Sequence, residues 1–322
     1  TLDRSSAASD VYKRQTDKSE YYVSFSQISD DGMIPTDADS YDKYTFSARG
    51  SHKVKALTFS SSLNYSYQKN KFATTGQGLT MLNSLYQTPR DVSIISLQDQ
   101  NDIFNSPGYF YTPYGVMNPY YILENYLNEY DAERFYGKFQ VDYDFLKYFK
   151  FTYRMGLDTT TGQSNRGEPN LYALFYEGTP NGEGMGSNSP FYGKEGSYSQ
   201  QISRRREINQ DLLLSFSMPI NDFQINALAG FNGNERKYSY LYSSVSKLTI
   251  PTWYNLSNSA ATPTVEQYLS LRRLMGVFGQ VDLSWRNMLY VTLTARNDWS
   301  STLPKENRSF FYPGATGSFI FT

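Results

Sequence analysis

The chain has 322 residues, a formal net charge of −1, one histidine and no cysteine. That balance offers no basic face to nucleic acid, and a single imidazole (His52) excludes most histidine-based metal and triad chemistry. No run approaches the roughly 18 apolar residues a membrane helix requires, while an aromatic content of 17% exceeds what an ordinary core uses and fits the aromatic girdles of a transmembrane β-barrel.

Ser5 to Gln15, SSAASDVYKRQ, is similar to the in-frame translation of a transposase adapter used in library sequencing. Residues 1–15 are therefore expected to be a non-native tail. Thr1 is no initiator, and the chain stops in mid-strand at Ser318-Phe-Ile-Phe-Thr322, so it is expected to be a fragment with sequence lost at both ends.

Beyond the tail, apolar and polar residues alternate with a period of two, the mark of strands with one greasy and one polar face. The first predicted strand sets Tyr21, Val23 and Phe25 against Tyr22, Ser24 and Ser26. A turn-rich segment follows, and the second strand opposes Tyr44, Phe46 and Ala48 to Thr45, Ser47 and Arg49. A short turn is expected at Gly50-Ser51-His52-Lys53, which makes His52 a surface residue. The third strand carries Leu57, Phe59, Leu63, Tyr65 and Tyr67 on its apolar face. A long excursion runs from about Gln68 to Asp131, with a helical turn expected over Thr80–Tyr86.

The fourth strand (Phe135, Phe139, Val141, Tyr143) and fifth (Phe149, Phe151, Tyr153, Met155, Leu157) are joined tightly, and a Gly- and Ser-rich excursion then reaches about Ser203. The sixth (Ile208, Leu212, Leu214, Phe216) turns at Met218-Pro219-Ile220-Asn221 into the seventh (Phe223, Ile225, Ala227, Phe231). After a third excursion, from about Asn232 to Val265, Met275–Ser301 reads as a hairpin turning at Arg286-Asn287. A last strand begins near Phe310. Short turns thus alternate with long loops, as in bacterial outer-membrane barrels. Loops of such length are usually functional.

The mid-strand charges Lys138, Lys150, Arg154, Asp211, Asp282 and Arg296 all fall on the polar register. A slip of one residue would move every one of them into lipid, at about 2–4 kcal/mol for each Arg or Lys near the midplane. The reading is an all-β, antiparallel transmembrane barrel with a wet interior.

Near its end the chain carries Arg296-Asn297-Asp298-Trp299-Ser300-Ser301, then Asn307-Arg308-Ser309-Phe310-Phe311-Tyr312-Pro313. Here it resembles the SusC/RagA family of TonB-dependent outer-membrane transporters, as do Asp31-Gly32-Met33-Ile34-Pro35 and Asn118-Pro119-Tyr120-Tyr121. Asn297 and Trp299 vary the usual spacer, and Gly314-Ala315 replaces the commoner Ser after Pro. The resemblance implies that 16–322 are about ten strands of a 22-stranded barrel, with the plug domain and remaining strands missing. It implies TonB-driven uptake of a large nutrient, an oligosaccharide or a peptide, across a Gram-negative outer membrane. A SusD-like surface lipoprotein would act as lid, and the TonB complex would pull the missing plug. No enzymatic activity and no cofactor are implied.

On that resemblance Lys138, Lys150, Arg154, Asp211, Asp282, Arg296 and Asp298 would line the lumen and meet the plug, with cross-strand pairing as the plainer role. The loop aromatics Tyr109, Phe110, Tyr111, Tyr114, Tyr120, Tyr121, Trp253 and Tyr254 would stack on sugar rings or grip a peptide or the lid. Packing of the loops on one another is the alternative. Gly182, Gly184 and Gly186 with Gly193-Lys194 imitate a phosphate loop without its strand–helix context. Asp37, Asp39 and Asp42 lack the glycine and terminal glutamate of a calcium loop. Both are expected to be solvated loop. The rival architectures are a self-contained porin or adhesin barrel without a plug, and a soluble carbohydrate-binding β protein.

Overall fold

In the computed structural model the described residues are 5–16, 18–106, 117–175, 191 and 193–321. They form one antiparallel sheet of eleven strands in which every strand pairs with its neighbours in sequence. The strands are β1 (Ser5–Gln15), β2 (Ser19–Asp30), β3 (Ser40–Val54), β4 (Leu57–Lys71), β5 (Leu127–Phe145), β6 (Phe149–Glu168), β7 (Ser197–Ile220), β8 (Phe223–Ser246), β9 (Thr264–Trp285), β10 (Leu289–Ser300) and β11 (Ser309–Phe319). The ten strands read from alternation correspond to β2–β11. Residues 5–15, set aside in the sequence reading, run along β2 from Ser5↔Asp30 to Gln15↔Glu20. A ladder uses backbone groups alone, so an open edge accepts any run free of proline.

The connections sort by length. β3–β4, β5–β6, β7–β8 and β9–β10 are joined by the tight links 55–56, 146–148, 221–222 and 286–288, all at one end, here the turn end. These links use left-handed residues without glycine, at Lys55, Leu146, Asn221, Arg286 and Asn287. Two expected turns are corrected. Gly50, Ser51, His52 and Lys53 stay in β3, where His52 pairs with Phe59 and its Nδ1 lies 2.6 Å from the Ser19 hydroxyl. Likewise Met218, Pro219 and Ile220 remain in β7, and the chain turns at Asn221-Asp222. The ladder runs on wherever backbone groups find partners, whatever the side chains suggest.

The long connections 31–39, 72–126, 169–196, 247–263 and 301–308 lie at the opposite, loop end. The strands reach further toward it than alternation indicated: β7 and β8 have 24 residues each and β9 has 22. A membrane needs only about 9–11 residues per strand. The outer portions of these strands lose the greasy face, and so lose the sequence signal while keeping the ladder.

The two faces of the sheet are inverted relative to a soluble protein. Register aligns the apolar positions of successive strands, as in Phe25↔Phe46↔Tyr65↔Phe135 and Tyr143↔Phe151↔Leu214. All of these but Phe135 are exposed: Tyr143 is 43% and Phe151 39% accessible, whereas Asp142 and Thr152 beside them on the polar face are 8% and 7%. Around Asp142 and Thr152 the polar face is the enclosed one, as a lumen requires. Near the turn end Tyr143, Phe145, Phe149, Phe216 and Tyr148 form a chain of ring contacts with centroids 4.9–6.4 Å apart. That is the position of an interfacial aromatic girdle.

The dry core sits in the loops instead. Met81, Met117, Tyr121, Ile122, Leu171 and Phe191 pack together above the sheet. They are carried partly by short helices α1 (Met81–Gln87), α2 (Pro119–Asn125) and α3 (Leu171–Phe175). Thr80 caps α1 through its hydroxyl, and the Asn118 side chain caps α2 with Pro119 following. The helical turn expected over Thr80–Tyr86 is α1.

A polar lumen wall and its loop-end mouth

The enclosed face is a wall of paired charges. Arg154 donates to Asp211 from the neighbouring strand, Nε–Oδ2 2.8 Å, and Lys150 lies 3.2 Å from Asp142, which also accepts from Thr152. Asp282 accepts from Gln280 and Thr292, while Arg296 and Asp298, two apart on β10, form a 2.8 Å pair. Arg134 and Asp158 add a bidentate pair. Lys150, Arg154, Arg134 and Arg296 each have a carboxylate partner, whereas Lys138 makes no ion pair among the described residues. It sits over a shallow hollow floored by Gly156 and bounded by Asn64, Asp158 and Asn209. The charged residues named from sequence thus share one face of the sheet, and Arg154 pairs with Asp211 across strands.

Phe278 faces inward. The Phe278 ring lies over Gly230, where an added Cβ would overlap it, and the Arg296 guanidinium stands 5.2 Å from the ring centre. Next to it, a Cβ on Gly276 would overlap the Asp298 carboxylate. The Arg-x-Asp motif is therefore seated in a slot cut by two glycines. Gly230→Ala is expected to push Phe278 off this seat and destabilise the sheet by about 1–3 kcal/mol, read as a lowered temperature for conversion of the folded to the unfolded band on a gel. An unchanged conversion temperature would deny the slot its role.

Toward the loop end the polar face opens into a cleft of about 740 Å³ lined by Tyr126, Asn128, Tyr130, Arg166, Glu168 and Ser197, among others. Tyr130, Arg166 and Ser197 lie in stretches read from sequence as loop. Continuing the parity of Tyr136 and Lys138 back to Asn128 and Tyr130, and of Arg154 and Asp158 on to Arg166 and Glu168, would have found them. Tyr254 roofs the neighbourhood: its ring covers Gly167, and its hydroxyl donates to the Asn125 carbonyl.

The loop aromatics divide. Tyr120 and Tyr121 are 7% and 8% exposed and pack in the loop cores, Tyr120 with Leu97 and Tyr121 edge-on to Phe175. Tyr254 packs against Tyr198 and the Val245–Leu248 cluster, whereas Trp253 is 47% exposed. Tyr109, Phe110, Tyr111 and Tyr114 lie outside the described residues, as do Gly182, Gly184 and Gly186. Asp39 caps its own loop, accepting from the backbone amides of Met33 and Ile34, and among the described residues no cluster of acidic or histidine side chains could hold a metal.

Burial pushes the Tyr121 phenol up to about 12 and raises those of Tyr126 and Tyr254 as well. A raised phenol means that the folded loops keep protons the unfolded chain gives up near its ordinary value. Their stability is therefore whole below about pH 10 and declines as pH climbs toward 12. Limited proteolysis of the loops should accelerate across that interval and be level from pH 6 to 9. Acceleration already at neutral pH would contradict the burial.

No protein-family model matches the chain. Among curated proteins it is similar to the TonB-dependent receptor P3 of Formosa agariphila, 22% identical over 92% of this chain and 28% of the relative. In structure it matches the RagAB peptide importer in its closed-closed state with a TM-score of 0.77 and 14% identity, covering 98% of this chain and 34% of the importer chain. The pyoverdine outer-membrane receptor FpvA of Pseudomonas aeruginosa matches with a TM-score of 0.57 and 9% identity over the whole of this chain and 43% of the receptor. The chain spans about a third or less of the first two. These relatives are receptors and importers, not enzymes. The fold is that of part of a TonB-dependent receptor barrel, as in the RagAB importer and FpvA.

Proposed function

We propose that this length of SusC/RagA-type barrel serves an outer-membrane transporter that draws in a large polar nutrient, a peptide or an oligosaccharide. The observation that carries the reading is the inverted sheet, whose enclosed polar face opens into a cleft beneath packed loops. In such a transporter the wall charges Lys138, Lys150, Arg154, Asp211, Asp282, Arg296 and Asp298 face a plug, and the TonB complex supplies the pull. A SusD-type surface lipoprotein closes the loop end. Trp253 is the best placed of the named aromatics to meet nutrient or lid, because it stays half exposed where Tyr120 and Tyr121 serve packing. The same name family supports the cargo class, since RagAB is described as a peptide importer.

The test is growth of a strain whose only copy of the receptor carries Arg166→Ala with Glu168→Ala, on peptide and on glycan as sole carbon source. Uptake of one class should fall while the barrel still assembles, and loss of TonB should abolish uptake. Uptake that persists without TonB would leave the porin reading in its place.

A further inference from the structure

The outward face carries a feature that transport does not use. Near the loop ends of β8, β9 and β10 an apolar cleft of about 400 Å³ opens on the exposed side of the sheet, walled by Phe231, Met275 and Trp299. Arg273 and Arg308 line the same cleft. Their backbones are fixed there: Ser301 donates its amide to the Arg273 carbonyl at 2.9 Å, and Ser300 donates to the Arg308 carbonyl at 3.0 Å. The register shows that the cleft straddles a boundary. The row Met275↔Trp299 is followed one step outward on the same face by Glu235↔Arg273 and then Arg206↔Lys237, with Arg204 beyond.

Charge on this wall is one-sided. Glu235 accepts from both Arg206, at 3.0 Å, and Arg273, at 2.8 Å. Among the described residues Arg204, Lys237 and Arg308 have no acidic partner. Cations on the outside of a barrel, directly above its greasy band, stand at headgroup height, where their long stems keep the charge in water. A guanidinium fork matches a phosphate bidentately.

We propose that this wall binds an anionic outer-leaflet lipid, with an acyl chain against Phe231, Met275 and Trp299 and a phosphate between Arg273 and Arg308. The assignment rests on the outer-membrane reading above. An apolar cleft alone would suit any greasy partner; the arginine rim selects a phosphorylated one.

The experiment uses the whole receptor that contains this chain, purified in detergent. Binding of diphosphorylated lipid A, and of the same lipid stripped of its phosphates, is followed by native mass spectrometry. The phosphorylated lipid should bind at least about tenfold more tightly, and Arg273→Gln with Arg308→Gln should erase that preference. Inorganic phosphate at equal concentration should not compete. Equal binding of the two lipids, a preference that survives the double variant, or full competition by inorganic phosphate would overturn the proposal. If the double variant fails to fold, Arg308→Gln alone decides, because that side chain takes part in no ion pair among the described residues. A receptor that stays folded in detergent yet ignores lipid phosphate defeats this inference only; one that cannot be kept folded in detergent defeats the membrane reading beneath it.

Discussion

Leu293→Arg is expected to block assembly of the barrel, while Thr294→Arg, one residue on, should be tolerated. Leu293 is 50% exposed on the apolar face, paired with Val281 and Ala315 in the middle of the greasy band of β10. An arginine there costs about 2–4 kcal/mol at the midplane, a large share of the 5–15 kcal/mol that holds a typical domain. Thr294 points to the polar face and stands opposite Gln280, where a guanidinium meets water and carboxylates. Amounts of receptor in isolated outer membranes check the pair. Equal tolerance at both positions would mean that neither face meets lipid.

Ile122→Ala should act on the loops and leave the sheet alone. Ile122 is 1% exposed in the cluster that joins Met81, Met117, Tyr121 and Leu171. Removing its three outer carbons from a packed site costs about 2–5 kcal/mol. That loss is large for short helices of five to seven residues, which have little stability of their own. Loop cleavage by added protease should rise sharply and nutrient uptake should fall. Conversion of the folded barrel band on heating should hardly change, because the sheet is stabilised by its ladder and by lipid. A drop in that conversion as large as the change in cleavage would show loops and sheet to be one cooperative unit.

How legible this was in the sequence follows from where lipid and water act. In the band that lipid touches, alternation is enforced residue by residue, so Leu57–Tyr67 and Leu289–Ala295 could be read directly as strands with their faces assigned. Above it, water meets both faces of β7, β8 and β9, and Arg204, Arg206 or Tyr238 carry no periodic signal; only the hydrogen-bonded register reveals the strand. For the same reason Tyr130, Arg166 and Glu168, which line the mouth, were hidden in apparent loop. His52 and Pro219 misled for another reason, since turn-forming neighbours such as Gly50 and Asn221 outweighed a ladder that composition does not display. The buried roles of Tyr120 and Tyr121 were not legible, because nothing local distinguishes a tyrosine that packs a loop from one that grips a ligand. Contacts from residues far along the chain make that difference, such as Phe175 against Tyr121.

The inversion of the sheet can be measured residue by residue along β10. This chain has no cysteine, so a single one introduced at each position from Leu289 to Asp298, in a whole receptor with any other cysteine replaced by serine, gives a unique spin-label site. Labels in the whole receptor, reconstituted in liposomes, are scored for accessibility to oxygen, which partitions into lipid, and to a polar nickel chelate. A period of two is expected, with oxygen favoured at Leu289, Val291, Leu293 and Ala295 and the chelate at Tyr290, Thr292, Thr294 and Arg296. A flat profile, or the opposite phase, would contradict it.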